Sequence, residues 1–231
     1  MRRKMQKLGR LIRFDERSKN FPVRATVPKR QRSYTWRCRS ALDQKSEGSC
    51  VGHGVAHELI ARPAEATGID HDYAVMIYHE AQKIDPWPGG DYENAFPYYE
   101  GSSVLAGVQV AQRLGWCSGY DWAFGLNDLI IGVGYRGPAI LGLKWYDGMF
   151  QTDTAGFIHV TGNERGGHCI LCNSVNIAKQ RFTLHNSWSA SWGINGECYI
   201  SFADMDRLLR EDGEAVFLAG RRKVPVVWDV G

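Results

Sequence analysis

Four elements, met in a fixed order along the chain, constrain it more than anything else. Gln44 stands six residues ahead of Cys50 in the run Asp43-Gln44-Lys45-Ser46-Glu47-Gly48-Ser49-Cys50. Far downstream come Gly166-Gly167-His168, then Asn186-Ser187-Trp188, followed by Trp192-Gly193 and Gly196. A thiol is a weak nucleophile until it loses its proton. The residues after Cys50, Val51 to Ile60, read as a helix with small residues in its first turn. The unpaired N–H groups at such a helix start favour a negative sulfur. An imidazole can take the proton and hold the charge as an ion pair, the role that falls to His168. Asn186 would orient that ring by accepting a hydrogen bond from its other nitrogen. Gln44 would donate its side-chain amide to the oxyanion formed when sulfur attacks a carbonyl, with the Cys50 N–H as second donor. Taken singly, His168 reads as a satisfied core residue and Asn186 as a turn residue. The order and the local spacing carry the catalytic reading.

On these residues the chain resembles the papain-like cysteine peptidases, in their compact microbial and viral form. The resemblance implies an α+β, two-lobe fold, with a helical left lobe, an antiparallel β-barrel right lobe and the active site between them. It implies a cysteine-type peptidase working through a Cys50-His168-Asn186 triad and a thioester, with Gln44 at the oxyanion. No metal or organic cofactor is expected, and the partner is a peptide or protein substrate. Gly101 is the candidate for the backbone glycine that pairs with extended substrate, with Gly89-Gly90 as its rival. Gly167 and Trp188 complete the expected binding wall, Trp188 as the indole shielding the histidine–asparagine bond. Two other readings stay open: a thiol amidase or isopeptidase acting on peptidoglycan-type cross-link peptides, and a silent binding module. Three positions depart from the family pattern. Glu47 stands where a disulfide-bonded cysteine is usual, Val51 where tryptophan follows the nucleophile, and Gly167 where Asp or Asn precedes the histidine.

The 231 residues fit one ordinary domain or two small lobes, and a hydrophobic share of 44% is enough for a core. No apolar run is long enough to span a bilayer, and the charged start lacks the apolar stretch of an export signal. Six cysteines, with Glu47 in place of the usual partner, suggest reduced thiols and a cytoplasmic setting. His168-Cys169-x-x-Cys172 lacks a second pair at zinc spacing and lies in an alternating apolar run, so a metal is not expected there. A monomer is expected.

Residues 1–40 hold fourteen of the 28 lysines and arginines against two acids, Asp15 and Glu16. This basic N-terminal segment reads either as a solvated arm, which alone could contact nucleic acid, or as a leader lying over the cleft. The resemblance favours a packed role for residues 9–37, through Leu8 to Arg17, Phe21-Pro22 and Thr35-Trp36-Arg37. A helical lobe is expected over 41–126, a β-rich lobe over 127–219 and a tail over 220–231. Periodicity predicts helices at 50–60, 72–83 and 104–114, capped at Ser102-Ser103, and a short one at 204–210. It predicts strands at 139–145, 157–160, 168–176, 181–185, 197–201 and 215–219. His53, one turn after Cys50, is expected to face solvent without a catalytic role.

Overall fold

The protein is described here by a computed structural model covering residues 6–12, 30–224, 226 and 228. Among them the elements run β1 (Tyr34–Thr35), α1 (Cys50–Ile60), α2 (His71–Ile84), α3 (Val104–Arg113), β2 (Gly119–Trp122), α4 (Leu126–Tyr135) and β3 (Ala139–Tyr146). Then come β4 (Glu164–Asn176), β5 (Arg181–His185), β6 (Glu197–Ser201), α5 (Phe202–Arg210) and β7 (Glu214–Ala219). The strands pair in the order β2-β7-β3-β4-β5-β6, with β1 added along β4. Every pairing is antiparallel.

Alternation along the central strands sets the layers. Successive side chains of a strand point to opposite faces. Ile140, Cys169, Leu171, Val216 and Leu218 pack into one core with α1, α2 and α3. Their neighbours Leu141, Ile170, Cys172, Ala215 and Phe217 pack into a second core with α4 and α5. The sheet is thus a middle layer between two sets of helices. α1 is buried along all its 11 residues, including the polar His53, His57 and Glu58. Its close crossing with α2 needs Gly52, where a Cβ would stand 2.0 Å from the Ala74 carbonyl oxygen.

Capping follows the local chemistry. Asp70 accepts from the Tyr73 amide to start α2, Ser103 from the Ala106 amide to start α3, and Ser201 from the Asp204 amide to start α5. Four features differ from expectation. α4 was not foreseen: Gly132 and Gly134 weaken its helix propensity, and burial of Leu129, Ile130, Ile131 and Val133 overrides that weakness. The expected strand at 157–160 shrinks to one bridge, Phe157 to Tyr199. The sheet stays open rather than closing into a barrel. It also begins at Gly119, ahead of the boundary expected at 126/127, because β2 pairs with β7. The tail folds back on the helical side, where the Arg222 amide donates to the Trp116 carbonyl (2.8 Å) and Arg221 pairs with buried Glu58. No helix among the described residues is long and apolar enough to cross a membrane.

Candidate active site

Cys50 is the first residue of α1, so its own N–H has no partner within the helix. The helix start lies against β4. The Cys169 amide donates to Cys50 Sγ at 3.3 Å, which fixes the sulfur beside the residue that follows His168. His168 is fully buried, and its Nε2 donates to Asn186 Oδ1 at 2.8 Å. The same oxygen accepts from the Ser187 amide at 2.8 Å, which locks the asparagine. With Nε2 as donor, Nδ1 is left as the basic nitrogen. It is buried and has no hydrogen-bond partner. Trp188 lies over the imidazole with ring centroids 4.8 Å apart, and Trp145 meets it edge-on at 4.6 Å. Phe150 stacks on the outer face of Trp188 at 5.7 Å. Together these rings keep water from the His168–Asn186 bond.

Gln44 is oriented by the Asn-Ser-Trp run. Ser187 Oγ donates to Gln44 Oε1 at 2.6 Å, and the Gln44 amide N–H donates to the Ser187 carbonyl at 2.9 Å. This turns Nε2 outward, where it donates to the Glu47 carbonyl (2.9 Å) and to the Lys7 carbonyl (3.1 Å). The second of these bonds shows what fills the site. Residues 7–11 run through it as an extended strap. The Arg10 amide donates to the Gly167 carbonyl (3.0 Å), the Leu11 amide to the Ser102 carbonyl (3.0 Å), and the Ser102 amide to the Gly9 carbonyl (2.9 Å).

Burial sets the direction of both pKa shifts. Desolvation raises the Cys50 thiol to about 11, against the smaller opposing effects of the Cys169 and Gly9 amides and the Arg10 charge. Desolvation lowers His168 to about 4, only partly offset by Asn186. Both shifts favour the neutral thiol and the neutral imidazole, whereas the helix start by itself favours a charged pair. His53 is also buried rather than exposed. It contacts the Ser49 carbonyl (3.0 Å) and His71 Nδ1 (3.2 Å), and burial lowers it to about 4.

Solved structures share this arrangement of chain. Xylellain, a cysteine protease from Xylella fastidiosa, superposes with a TM-score of 0.58 at 13% identity, covering 95% of this chain and 100% of that one. The fold is that of the papain-like cysteine proteases. Procathepsin B S9 from Trypanosoma congolense gives a TM-score of 0.54 at 12% identity, over 93% of this chain and 87% of that one. Bromelain from Ananas comosus, in complex with the inhibitor E64, gives 0.54 at 13% identity, over 84% of this chain and 100% of that one. In sequence, a cathepsin B-like cysteine proteinase from Caenorhabditis elegans is 33% identical over 63 residues. That stretch spans 26% of this chain and 19% of the relative. No family model matches the chain.

On this papain-like frame the expected binding residues take distinct parts. Gly101 does not itself pair with the strap. Its N–H goes to Tyr78 Oη (2.8 Å) and its carbonyl to Gln82 Nε2 (3.0 Å), so the pairing falls to Ser102. Gly101 instead gives clearance: it sits at φ +100, and a Cβ there would lie 2.6 Å from the Gly9 carbonyl oxygen. Gly167 gives the matching clearance on the opposite wall, where a Cβ would lie 2.3 Å from the Arg10 carbonyl oxygen. Gly89 and Gly90 are used inside their own loop, with the Gly90 amide on the Pro97 carbonyl at 3.0 Å. Sequence reasoning missed Ser187 as the group that aims Gln44, although it lies inside the Asn-Ser-Trp run. It also missed Arg10 and Glu214, which meet at the floor of the site, and no local pattern announces that pair. All six cysteines are free thiols, and no group of side chains among the described residues is arranged to hold a metal ion.

Proposed function

We propose that the protein is a cysteine peptidase, held by its own N-terminal strap in a closed state. The observation that carries this reading is the Lys7 carbonyl on Gln44 Nε2, beside Cys50 and the His168–Asn186 pair. A peptide carbonyl rests on the amide that would receive an oxyanion, and extended backbone is paired to both walls.

With a substrate in place of the strap, His168 Nδ1 takes the Cys50 proton as sulfur attacks the amide carbon. The tetrahedral oxyanion accepts hydrogen bonds from Gln44 Nε2 and the Cys50 N–H. Collapse breaks the C–N bond, and the imidazolium gives its proton to the leaving amine. Water, activated by the same imidazole, then attacks the thioester and returns the thiol.

The test compares full-length Arg10→Ala, in which the strap is loosened, with Arg10→Ala/Cys50→Ala on a mixed peptide library. Cleavage is expected from the first and none from the second. Equal cleavage, or none from either, would overturn the reading.

A further inference from the structure

Cys169 is a buried thiol that the mechanism above leaves unused, and it follows His168 directly on β4. Its amide donates to Cys50 Sγ at 3.3 Å, which puts the Cys169 Cα within about 4.8 Å of that sulfur, one N–Cα bond further on. Its own sulfur faces α1, where a Cβ on Gly54 would stand 2.6 Å from Cys169 Sγ. Gly54 lies one turn after Cys50, and residues four apart share a helix face. The two thiols therefore lie along one stripe of α1 and in the same core, with no side chain on Gly54 to part them. The other four cysteines are placed elsewhere. Cys172 and Cys198 belong to the second core, across the sheet. Cys38 Sγ lies 3.6 Å from the His57 carbonyl oxygen, and the Cys117 thiol is raised by burial and then by the nearby Glu58 charge. His57 and Glu58 are two turns along α1, roughly 11 Å from Cys50 at the rise of a helix.

We propose that Cys50 and Cys169 join in a reversible disulfide under peroxide, which keeps the nucleophile in a recoverable form. The inference rests on the reading of Cys50 and His168 as the thiol and base of this site. Hydrogen peroxide is the oxidant. Cys50 gives its proton to His168 Nδ1, and the sulfur attacks one peroxide oxygen. An S–O bond forms, the O–O bond breaks, and the departing hydroxide takes the proton back as water. The sulfur, oxidised by two electrons, is now a sulfenic acid. The Cys169 sulfur attacks it, the S–S bond forms, the S–O bond breaks, and the Cys169 proton leaves with the hydroxide as a second water. Desolvation raises the Cys169 thiol well above its ordinary range, so on its own it is a poor target for peroxide. Against a sulfenic acid fixed beside it, proximity makes up for weak nucleophilicity. A dithiol then restores both thiols by exchange and leaves as its own disulfide. Without Cys169, the sulfenic acid meets a second peroxide and becomes a sulfinic acid, which thiols do not reduce.

The test treats Arg10→Ala, whose loosened strap admits small molecules, with hydrogen peroxide. Free thiols are alkylated under denaturing conditions, and the peptides are read by mass spectrometry without reduction. The expected result is one cross-linked pair joining Cys50 to Cys169, the loss of both thiols together, and the return of both with dithiothreitol. In Arg10→Ala/Cys169→Ala, Cys50 should instead pass to sulfinic acid and stay there after dithiothreitol. The intact chain, treated for longer, should give the same cross-link, so the result does not hang on how well either variant folds. Sulfinic acid at Cys50 in place of the link while Cys169 is present, a link from Cys50 to another cysteine, or no oxidation of Cys50 would overturn the proposal. These readouts need no substrate. A chain that forms the link but cleaves no peptide overturns the peptidase reading alone, and a chain that cleaves without forming the link overturns this one alone.

Discussion

Gln44 holds its position through its carbonyl end and offers its amide end to the cleft, so its two halves have separate jobs. On the proposed mechanism, replacing it with alanine removes one oxyanion donor. The expected loss in kcat is about a hundred- to a thousandfold, with KM little changed, since that bond matures as the oxyanion forms. Steady-state kinetics in the Arg10→Ala background checks this, and an unchanged kcat would make Gln44 purely structural. Ser187→Ala should act on the same quantity more weakly, because it removes only the 2.6 Å bond that aims the amide. At Cys50 the prediction concerns protonation. A thiol held near 11 is almost wholly neutral at pH 7, so iodoacetamide should label Cys50 of the intact chain slowly. Arg10→Ala, by letting water reach the sulfur, should speed Cys50 labelling selectively among the six thiols, which peptide mass spectrometry resolves. Equal rates in the two proteins would show that the strap does not dry the site. The Gln44/Cys50 and Asn186/Trp188 spacings were legible because each is local, contained within a few consecutive residues. Arg10 and Glu214 were not, since their partners lie 204 residues apart and nothing near either one signals the other.

The strap is the element on which closure depends, and its sequence explains how a basic segment can be buried at all. Of its charges, Arg10 goes inward to Glu214, while Lys7 stays near the surface against Glu100. Removing Arg10 takes a partner from a buried carboxylate, a change that costs about 3 kcal/mol at the low end for broken buried pairs. On the proposed closed-state reading, that cost should appear as easier local opening rather than global unfolding. Hydrogen exchange at the amides of Leu11 and Ser102 should rise in Arg10→Ala, with β3 and β7 unchanged. Exchange that rises equally across the sheet would mean the strap belongs to the cooperative core. Composition and resemblance together gave a leader over the cleft as one of two readings of residues 1–40, of which residues 1–5 and 13–29 lie outside the described residues. Helix α4 was not, because two glycines in ten residues argue against a helix unless the buried face is already known.

Across the whole molecule, three buried imidazoles make the folded state sensitive to acid. His53 and His168 are lowered to about 4 and His57 is lowered well below its ordinary range, in each case first by desolvation. His57 also uses Nε2 to accept from the Leu42 amide at 2.9 Å, a bond that protonation removes. A group with a depressed folded-state pKa stabilises the fold above its unfolded value and loses that contribution as pH falls. The three should therefore support the closed form fully above about pH 6.5 and progressively less toward pH 4. Cys50, raised to about 11, works in the other direction, and its contribution fades as pH climbs from about 9 to 11. Melting temperature followed from pH 8 to pH 4 should fall steadily below about pH 6.5, and Cys50 labelling should respond to site opening over the same interval. A flat melting profile down to pH 4 would mean these imidazoles are not held neutral.

Strand β4 receives the N-terminal chain twice. Arg10 joins it at Gly167, beside the candidate site, and β1 joins it again at Ser174 and Val175. The two places where the N-terminal chain meets β4 lie roughly 25 Å apart at the rise of extended chain. While the covalent chain between Arg10 and Tyr34 is intact, a strap that slips out would remain at about millimolar local concentration and rebind. A single cut between them would turn that return into a meeting of two separate molecules. Dilution would then decide whether the site stays shut, and activation would become a matter of concentration rather than of contacts.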